Sequence, residues 1–437
     1  MDWPILLALV LVAGYACLAV FIYARKMWAD RISFYGPFMA IKTARVGFFD
    51  WFSRFRTFLR IYGTVGVLMV AVVSVLMTFL LFSSLQMTIV QKPPPTAANE
   101  LRNVFAIPGL NDFIPLTFAV IFGLIITMVV HEFGHAILCR IEGIRVKSMG
   151  LLVAVVPIGA FVEPDEEDLE KTKGLPKMRM LGAGITNNIL AGIICFVLLI
   201  ALLGFAVPVN VPLVKSVYED SPAYAAGLQP DSIITDINGI PVSSVSEVSL
   251  ALNRTLPGDK ISLTARDSSG GTSTYDLTLA PWPPGLGERT NGFMGVNYYD
   301  VAGVRQTFSG LLSPVGFLIL LAAPIEVIVD PVNWDFTRVL MNTSVDAVSW
   351  NIPFPFFWQF IQILFWCGWW NLAVGTFNAL PVIPLDGGYI TKEGVDRVLD
   401  RKGLIRFSDY IMTAIGMILV IVIIAIFTLP KLFHPGA

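Results

Sequence analysis

The chain contains, at Phe113–Ala136, the stretch FIPLTFAVIFGLIITMVVHEFGHA. Roughly 20 consecutive, mostly apolar residues are enough for a helix to cross the hydrocarbon core of a bilayer. The run therefore predicts a membrane-spanning helix over Phe113–Cys139. Near its end stand three strongly polar residues in five positions, His131, Glu132 and His135.

These three residues form an HExxH pattern, which is typical of a metal site. Residues four apart lie on one face of a helix, so both imidazoles can hold the same metal ion. Glu132 could then serve as a general base toward a water molecule whose pKa zinc lowers. The alternative is a chance match at a polar helix end. Against it, a charged group near the bilayer centre costs about 2.5 kcal/mol or more, and a metal in a wet cavity would offset that cost.

The composition extends the membrane prediction to the whole chain. The chain has 437 residues, of which 55% are hydrophobic and only 14% charged, and its mean hydropathy is +0.71. A soluble domain has about 25% charged residues, so a soluble protein is excluded. Six spans are predicted: Pro4–Tyr23, Tyr62–Phe82, Phe113–Cys139, Arg179–Val207, Phe356–Leu380 and Tyr410–Leu429. The first span has no basic region before it and no cleavage site, and is expected to be an uncleaved anchor.

The basic residues of the loops predict the orientation, because cytoplasmic loops carry the excess of Lys and Arg. The segment Arg25–Arg60 has eight basic residues, whereas the loop Ser83–Asp112 has only Lys92 and Arg102. The loop after Cys139 is basic again. The N-terminus is therefore expected outside the cell.

The apolar stretch Phe308–Val329 does not fit this alternation as a further crossing. The loop Asp330–Pro355 has one basic residue and is expected outside, whereas Gly387–Asp409 has five and is expected inside. Pro314 and Pro324 disfavour a straight helix because each removes a backbone hydrogen bond. We expect a re-entrant or interfacial segment.

Between the fourth and fifth spans the composition changes to short β-rich runs separated by turns such as Asn238-Gly239. The runs are Val214–Val217, Ile233–Ile237, Ile261–Ala265 and Tyr275–Leu279. The segment Ser221–Gly239 resembles the PDZ domains attached to proteases, which bind an extended peptide as an added strand. A spacer domain without a ligand is the alternative. The loop charges place this insert outside the cell.

A catalytic zinc site needs three protein ligands. The chain has three histidines, and His434 lies beyond the last span, so a carboxylate is the expected third ligand. The fifth span ends in NALPVIPLDGG, which contains Asp386. Pro381 and Pro384 break the helix, and the following glycines should let the backbone turn Asp386 inward. Alone, this aspartate would be taken for a turn residue; beside HExxH, at the same side of the membrane, it is the candidate ligand.

The two motifs HEFGH and NALPVIPLDGG, with a PDZ-like insert between them, resemble the paired signatures of the site-2 protease family. The resemblance covers about Phe113–Asp409. It implies zinc (Zn2+) held by His131, His135 and Asp386, with Glu132 as catalytic base. It also implies cleavage of transmembrane segments within the bilayer.

Three further features are compared with that family. Met149–Val162 is too short to span and is expected to turn at Pro157-Ile158-Gly159. It resembles a membrane-embedded β-hairpin of the family that pairs with an unwound substrate. A plain cytoplasmic hairpin is equally compatible.

Asn378 matches an asparagine of the family. It could bind the substrate backbone or an oxyanion, or it could cap the broken helix. Ile185 stands where the family usually has proline, which leaves Asn187 either a functional role or a hydrogen bond between helices.

The sequence thus predicts an α-helical polytopic membrane protein with about six transmembrane helices, one re-entrant or interfacial segment, and an inserted extracytoplasmic β-rich PDZ-like domain. The expected regions are 1–112 (two helices), 113–207 (first part of the catalytic core), 208–300 (PDZ-like domain), 301–355 (interfacial segment and external loop) and 356–437 (second part of the core).

The leading hypothesis is an intramembrane zinc metalloprotease of the cell membrane, with its active site toward the cytoplasm. Its expected partners are a membrane-anchored substrate such as a transcriptional or sigma-factor regulator, a peptide tail at the PDZ-like domain, and lipid, but no nucleic acid. The alternatives are a membrane zinc protease of another class, a non-catalytic PDZ-bearing scaffold with a relic motif, and a metal-ion carrier.

Overall fold

The computed structural model describes residues 3–154, 156–267, 269–286, 289–329, 337, 340–341 and 349–435. The chain divides into two compact units. The first comprises Met1–Phe196 and Ile363–Ala437, and the second comprises Val197–Gln362.

The described α-helices are, in chain order, α1 (Trp3–Arg25), α2 (Arg56–Gln91), α3 (Leu101–Val104), α4 (Phe118–Glu142), α5 (Glu166–Lys171), α6 (Leu175–Leu203), α7 (Pro222–Ala225), α8 (Val245–Leu252), α9 (Val301–Gly310), α10 (Pro314–Val329), α11 (Phe357–Asn378), α12 (Asp386–Asp400) and α13 (Ser408–Phe433). The strands are β1 (Ile32–Tyr35), β2 (Phe38–Thr43), β3 (Val146–Ala154), β4 (Val156–Pro164), β5 (Val207–Pro208), β6 (Val214–Val217), β7 (Ile233–Ile237), β8 (Ile240–Pro241), β9 (Lys260–Arg266), β10 (Thr272–Thr278), β11 (Val296–Tyr298) and β12 (Trp350–Asn351).

Within the described residues, five helical segments are long and apolar enough to cross a membrane. They are Gly47–Gln91, Phe118–Glu142, Leu175–Leu203, Phe357–Asn378 and Ile405–Phe433. Each overlaps most of one predicted span, and the chain is therefore a polytopic membrane protein. The remaining predicted span coincides with α1, of which Val12–Arg25 is found as a shorter apolar helix. The sixth crossing stays a prediction.

The stretch Phe308–Val329 forms no continuous helix. It contains the end of α9 and the whole of α10, and the chain breaks between them at Ser313-Pro314. α10 has 16 described residues, up to Val329. The prediction that this stretch does not span stays a prediction. Most of the loop that follows, at 330–336, 338–339 and 342–348, lies outside the described residues.

The first unit contains an antiparallel sheet in the order β1-β2-β3-β4. The β3–β4 hairpin was predicted, but the turn was placed wrongly. Ala154 pairs with Val156, so Pro157 and Gly159 lie within β4. The pairing shifts between Leu152 and Val153, whose partners are Gly159 and Pro157. The proline-glycine pair marks this irregularity of the ladder, because proline has no N–H to donate.

The β1–β2 hairpin was not predicted, since the sequence there was interpreted only as a basic loop. β2 pairs with β3 from Met39↔Val153 to Thr43↔Met149 and leaves β4 at the other edge of the sheet. The following 3-10 helix, Gly47–Phe55, buries Phe49 completely. The ring of Phe49 packs edge-on against Phe133 of the HEFGH motif, with 5.4 Å between ring centroids.

A buried carboxylate joins three spanning helices at one end of the first unit. The Glu142 side chain, at the end of α4, is only 1% exposed. It accepts hydrogen bonds from Arg60 of α2 at 3.1 Å and from Arg179 of α6 at 3.0 Å. A buried charge is costly unless it is paired, and these two guanidinium groups fix the ends of α2, α4 and α6 together.

The second unit contains the predicted β-rich insert. β6 and β7 have the predicted bounds, and β9 and β10 cover the other two predicted runs to within a few residues. Asn238 and Gly239 both have positive φ, at 55° and 78°, as expected for the turn between β7 and β8. The strands enclose a core that includes Val214, Ile234 and Leu263.

Candidate metal centre

α4 presents both histidines of the motif to the same place. The Nε2 atoms of His131 and His135 lie 3.1 Å apart. Their side chains are only 12% and 13% exposed. The predicted helix and its i, i+4 geometry are therefore found at the expected position.

Asp386 completes the group. α11 ends at Asn378, and α12 begins at Asp386 after the proline-containing segment. Oδ2 of Asp386 lies 3.0 Å from Nε2 of His131 and 3.2 Å from Nε2 of His135. Gly387 and Gly388 do not have positive φ. They provide space instead, since a Cβ on Gly387 would lie 2.3 Å from the carbonyl oxygen of Ala379.

The three atoms have the separations that a zinc site requires. Ligand atoms 2.0–2.1 Å from a tetrahedral zinc ion lie about 3.3 Å from one another. The observed triangle has sides of 3.0, 3.1 and 3.2 Å. Two imidazoles and a carboxylate also leave a fourth position open, as in catalytic zinc sites. Within the described residues, this is the one group of three or more possible ligands that could share an ion.

Space for an ion is preserved by Gly184 of α6. A Cβ on this glycine would lie 2.6 Å from Nε2 of His135 and 2.7 Å from Nε2 of His131. Any side chain at position 184 would therefore occupy the space next to the two Nε2 atoms. A role for Gly184 was not predicted from the sequence, where the only signal was a glycine within an apolar span.

Glu132 lies beside this group and contacts the edge of the sheet. Its Oε2 accepts a hydrogen bond of 2.9 Å from the backbone N–H of Val162 in β4. A cavity of about 430 Å³ adjoins the carboxylate. It is lined by residues of α4, β2, β3 and β4, mainly apolar ones such as Val129, Leu151 and Val162.

α6 contacts the second nitrogen of each imidazole. Nδ1 of His135 lies 2.9 Å from the carbonyl oxygen of Met180. Nδ1 of His131 lies 3.1 Å from Nδ2 of Asn188. Asn188 was not predicted from the sequence, although it is a second asparagine in an apolar span.

The other two asparagines named from the sequence have different surroundings. Asn187 donates to the carbonyl oxygen of Val130 at 3.1 Å and accepts from the Tyr62 hydroxyl at 2.7 Å, so it forms hydrogen bonds between helices. Asn378 is the last residue of α11 and is half-buried. In the part of the chain that the structure describes, its amide has no hydrogen-bond partner.

The fold and the group define a polytopic membrane protein with a metallopeptidase-type centre on its spanning helices. The family model for peptidase family M50 matches residues 119–423. The chain belongs to this family, the site-2 proteases, and is a zinc-dependent endopeptidase. The scaffold and metal-carrier alternatives are thereby set aside.

The chain is also similar to several individual proteins. It is 25% identical over 347 residues to an uncharacterized protein of Methanocaldococcus jannaschii, covering 78% of this chain and 74% of that protein. It is 25% identical to the zinc metalloprotease RasP of Shouchella clausii, covering 57% of this chain and 59% of RasP. It is 23% identical to the zinc metalloprotease Rip1 of Mycobacterium bovis, covering 63% of this chain and 84% of Rip1.

Proposed function

We propose that the chain is an intramembrane protease that cleaves peptide bonds in or near the transmembrane segment of a membrane-anchored protein. The observation that carries this proposal is the depth of the site. His131 lies about 20 Å along α4 from its first residue, at 1.5 Å per residue, in a helix of about 37 Å. A membrane-anchored transcriptional or sigma-factor regulator is the substrate class we favour.

We assign zinc to His131, His135 and Asp386, whose side chains converge without other protein partners at the facing atoms. Zinc, when bound, supplies a Lewis acid that polarises the scissile carbonyl and lowers the pKa of water. Three protein ligands leave a fourth position for water, and Glu132 follows His131 directly in α4.

Glu132 is the proposed general base. The N–H of Val162 holds Oε2, which orients the carboxylate and leaves the other oxygen available. That oxygen takes a proton from the attacking water and then delivers it to the departing amine nitrogen. Asn378, whose amide is unpaired among the described residues, is proposed to donate a hydrogen bond to the substrate carbonyl as negative charge develops on it.

β4 is the proposed docking strand for the substrate. A peptide bond in a transmembrane helix is shielded by hydrogen bonds and must be extended before attack. β4 lies at the edge of its sheet, and Val162 of this strand touches Glu132. A peptide added to this edge would lie beside the base, with the 430 Å³ cavity ready to receive an apolar side chain.

The hairpin is proposed to be embedded in the membrane. The hydroxyl of Tyr15 lies 2.6 Å from the carbonyl oxygen of Pro37 and 2.9 Å from that of Val153, at the ends of the two hairpins. Tyr15 is about 15 Å along α1 from Arg25, at 1.5 Å per residue. Because Arg25 marks the basic, cytoplasmic end of α1, the hairpin ends reach well below the membrane surface.

The pairing of helix ends supports the proposed orientation. Arg60, Glu142 and Arg179 meet at the ends expected in the cytoplasm. At the opposite ends, Nε2 of His434 after α13 lies 2.9 Å from the carbonyl oxygen of Lys92 after α2. Both groups of ends are compatible with the alternation of basic loops, from which we propose that the active site lies toward the cytoplasm.

The insert is proposed to be an extracytoplasmic PDZ-like domain that binds a peptide tail. A groove of about 340 Å³ runs between α8 and β11 and is lined by Val248, Leu252, Trp282 and Phe293. Among the described strands, β11 pairs only with β6, which leaves its other edge toward the groove. An added peptide strand would fit this arrangement.

The test is cleavage of a single-span substrate in liposomes, measured together with zinc content. We expect about one zinc per chain for both the native protein and Glu132→Gln, with cleavage by the native protein alone. Cleavage by Glu132→Gln at the native rate would remove Glu132 from the mechanism. Cleavage of a soluble peptide but of no membrane-inserted substrate would favour a membrane zinc protease of another class.

A further inference from the structure

Asn188 is a buried polar residue beside the metal centre. It lies on the apolar helix α6 and is 0% exposed. Its amide nitrogen is 3.1 Å from Nδ1 of His131. Its amide oxygen is buried and has no hydrogen-bond partner among the described residues. A buried acceptor without a partner is uncommon and calls for an explanation.

The explanation lies in the tautomer of His131. The amide N–H can donate to Nδ1 only when the ring carries its proton on Nε2, and an Nε2 that carries a proton cannot bind a metal. Binding through Nε2, which faces Asp386, moves the ring proton to Nδ1. Nδ1 then needs an acceptor, and the unpartnered oxygen of Asn188 is the acceptor that a rotation of the amide brings to it.

His135 also has a hydrogen-bond acceptor for its Nδ1, and this acceptor is a backbone carbonyl. Nδ1 of His135 lies 2.9 Å from the carbonyl oxygen of Met180, which can only accept. His135 must therefore carry its proton on Nδ1, with Nε2 left for a metal. One imidazole is fixed by a backbone carbonyl, and the other faces a side chain that can either donate or accept.

We propose that Asn188 is a positioning residue of the zinc centre, a proposal that rests on the zinc site assigned above. Its oxygen accepts a hydrogen bond from Nδ1–H of His131, which fixes the tautomer and the orientation of the ring. Such partners of metal-bound imidazoles are commonly worth 10–100-fold in metal affinity. Asn188 does not touch the substrate and acts only through His131.

The test is the zinc dissociation constant, measured by competition with a chelator at buffered free zinc. Asn188→Leu removes the acceptor at similar volume, and we expect its zinc affinity to fall about 10–100-fold. Asn188→Asp keeps an acceptor and should remain within about tenfold of the native protein. Asn187→Leu is the matched control, since Asn187 contacts neither nitrogen of a histidine ring, and it should bind zinc like the native protein.

A purely structural role would be revealed by the metal-free protein. We expect the thermal midpoint of the metal-free Asn188→Leu variant to match that of the native protein, with the difference appearing only when zinc is added. Should the leucine variant fail to fold, Asn188→Ala, which only removes atoms, gives the same comparison. Native zinc affinity in a folded Asn188→Leu or Asn188→Ala variant would overturn the proposal, as would failure of Asn188→Asp to retain affinity.

These outcomes separate this proposal from the zinc assignment. Absence of zinc from the native protein would contradict the proposed centre itself. Zinc binding and cleavage by the native protein, with unchanged affinity in the Asn188 variants, would contradict only the role of Asn188.

Discussion

The Glu132 carboxylate is bound by the backbone N–H of Val162, at 2.9 Å, on the outer edge of β4. This contact links the proposed base to the strand on which the substrate is proposed to dock. Glutamine at position 132 can still accept the hydrogen bond, whereas alanine cannot. The two substitutions should therefore be equally inactive but differ in their effect on β4.

The first prediction concerns this difference. General-base catalysis typically contributes 10²–10⁴-fold, so cleavage should fall by about that factor in both Glu132→Gln and Glu132→Ala. Amide hydrogen exchange in peptides that contain Val162 should rise only in Glu132→Ala, because only that variant loses the acceptor. Equal exchange in all three proteins would show that Glu132 does not restrain the strand.

The second prediction concerns Gly184. A methyl group there would lie 2.6–2.7 Å from Nε2 of both histidines, which is closer than real carbon contacts allow. Gly184→Ala should therefore lose most of its zinc and all measurable cleavage. Gly182→Ala is the control on the same helix, since its added carbon would find its nearest neighbour at 3.6 Å. Full zinc occupancy in Gly184→Ala would place the ion elsewhere.

The third prediction concerns Asp386. Removing its charge with Asp386→Asn should weaken zinc binding by about 10–100-fold or more, because even partners outside the ligand set commonly have effects of that size. Asp400→Asn, on the exposed face of the same helix, should retain native zinc affinity. Zinc content measured after dialysis against a chelator distinguishes the two. An unchanged content in Asp386→Asn would point to a different third ligand.

The fourth prediction concerns the depth of the β3–β4 hairpin. In a protein whose four cysteines are replaced by alanine, Lys147→Cys lies at the exposed base and Ala154→Cys lies near the end. A membrane-impermeant maleimide should label Lys147→Cys in inside-out vesicles. It should label Ala154→Cys only after detergent is added.

Rapid labelling of Ala154→Cys in intact inside-out vesicles would place the hairpin in the cytoplasm. Labelling of Lys147→Cys in right-side-out vesicles would reverse the proposed orientation of the whole chain. The same pair of variants therefore tests both depth and sidedness.

The sequence predicted those features that depend on local pattern. Apolar runs gave the spanning helices, and the spacing of His131 and His135 gave their common face. The Asn238-Gly239 turn gave the β7–β8 connection. Asp386 was found because a metal site needs a third ligand, although no local pattern connects it to the histidines.

Features that depend on contacts between distant segments could not be predicted in this way. The β1–β2 hairpin lies in a stretch whose basic residues indicated only a loop, and its second strand pairs with the distant strand β3. Gly184 and Asn188 contact the histidines because α6 approaches α4, and the sequence of α6 shows a glycine and an asparagine there but not what they pack against. The register shift of the β3–β4 pairing at Pro157 was mistaken for a turn because proline and glycine are common at both.

The two halves of the proposed centre are far apart in the order of synthesis. A ribosome that has completed α6 has released both histidines and Glu132, but Asp386 follows only after the entire Val197–Gln362 unit has been made. The proposed centre therefore lacks one of its three ligands until synthesis has passed the whole of that unit. A chain that stops before Asp386 would contain the HEFGH motif without the third proposed ligand.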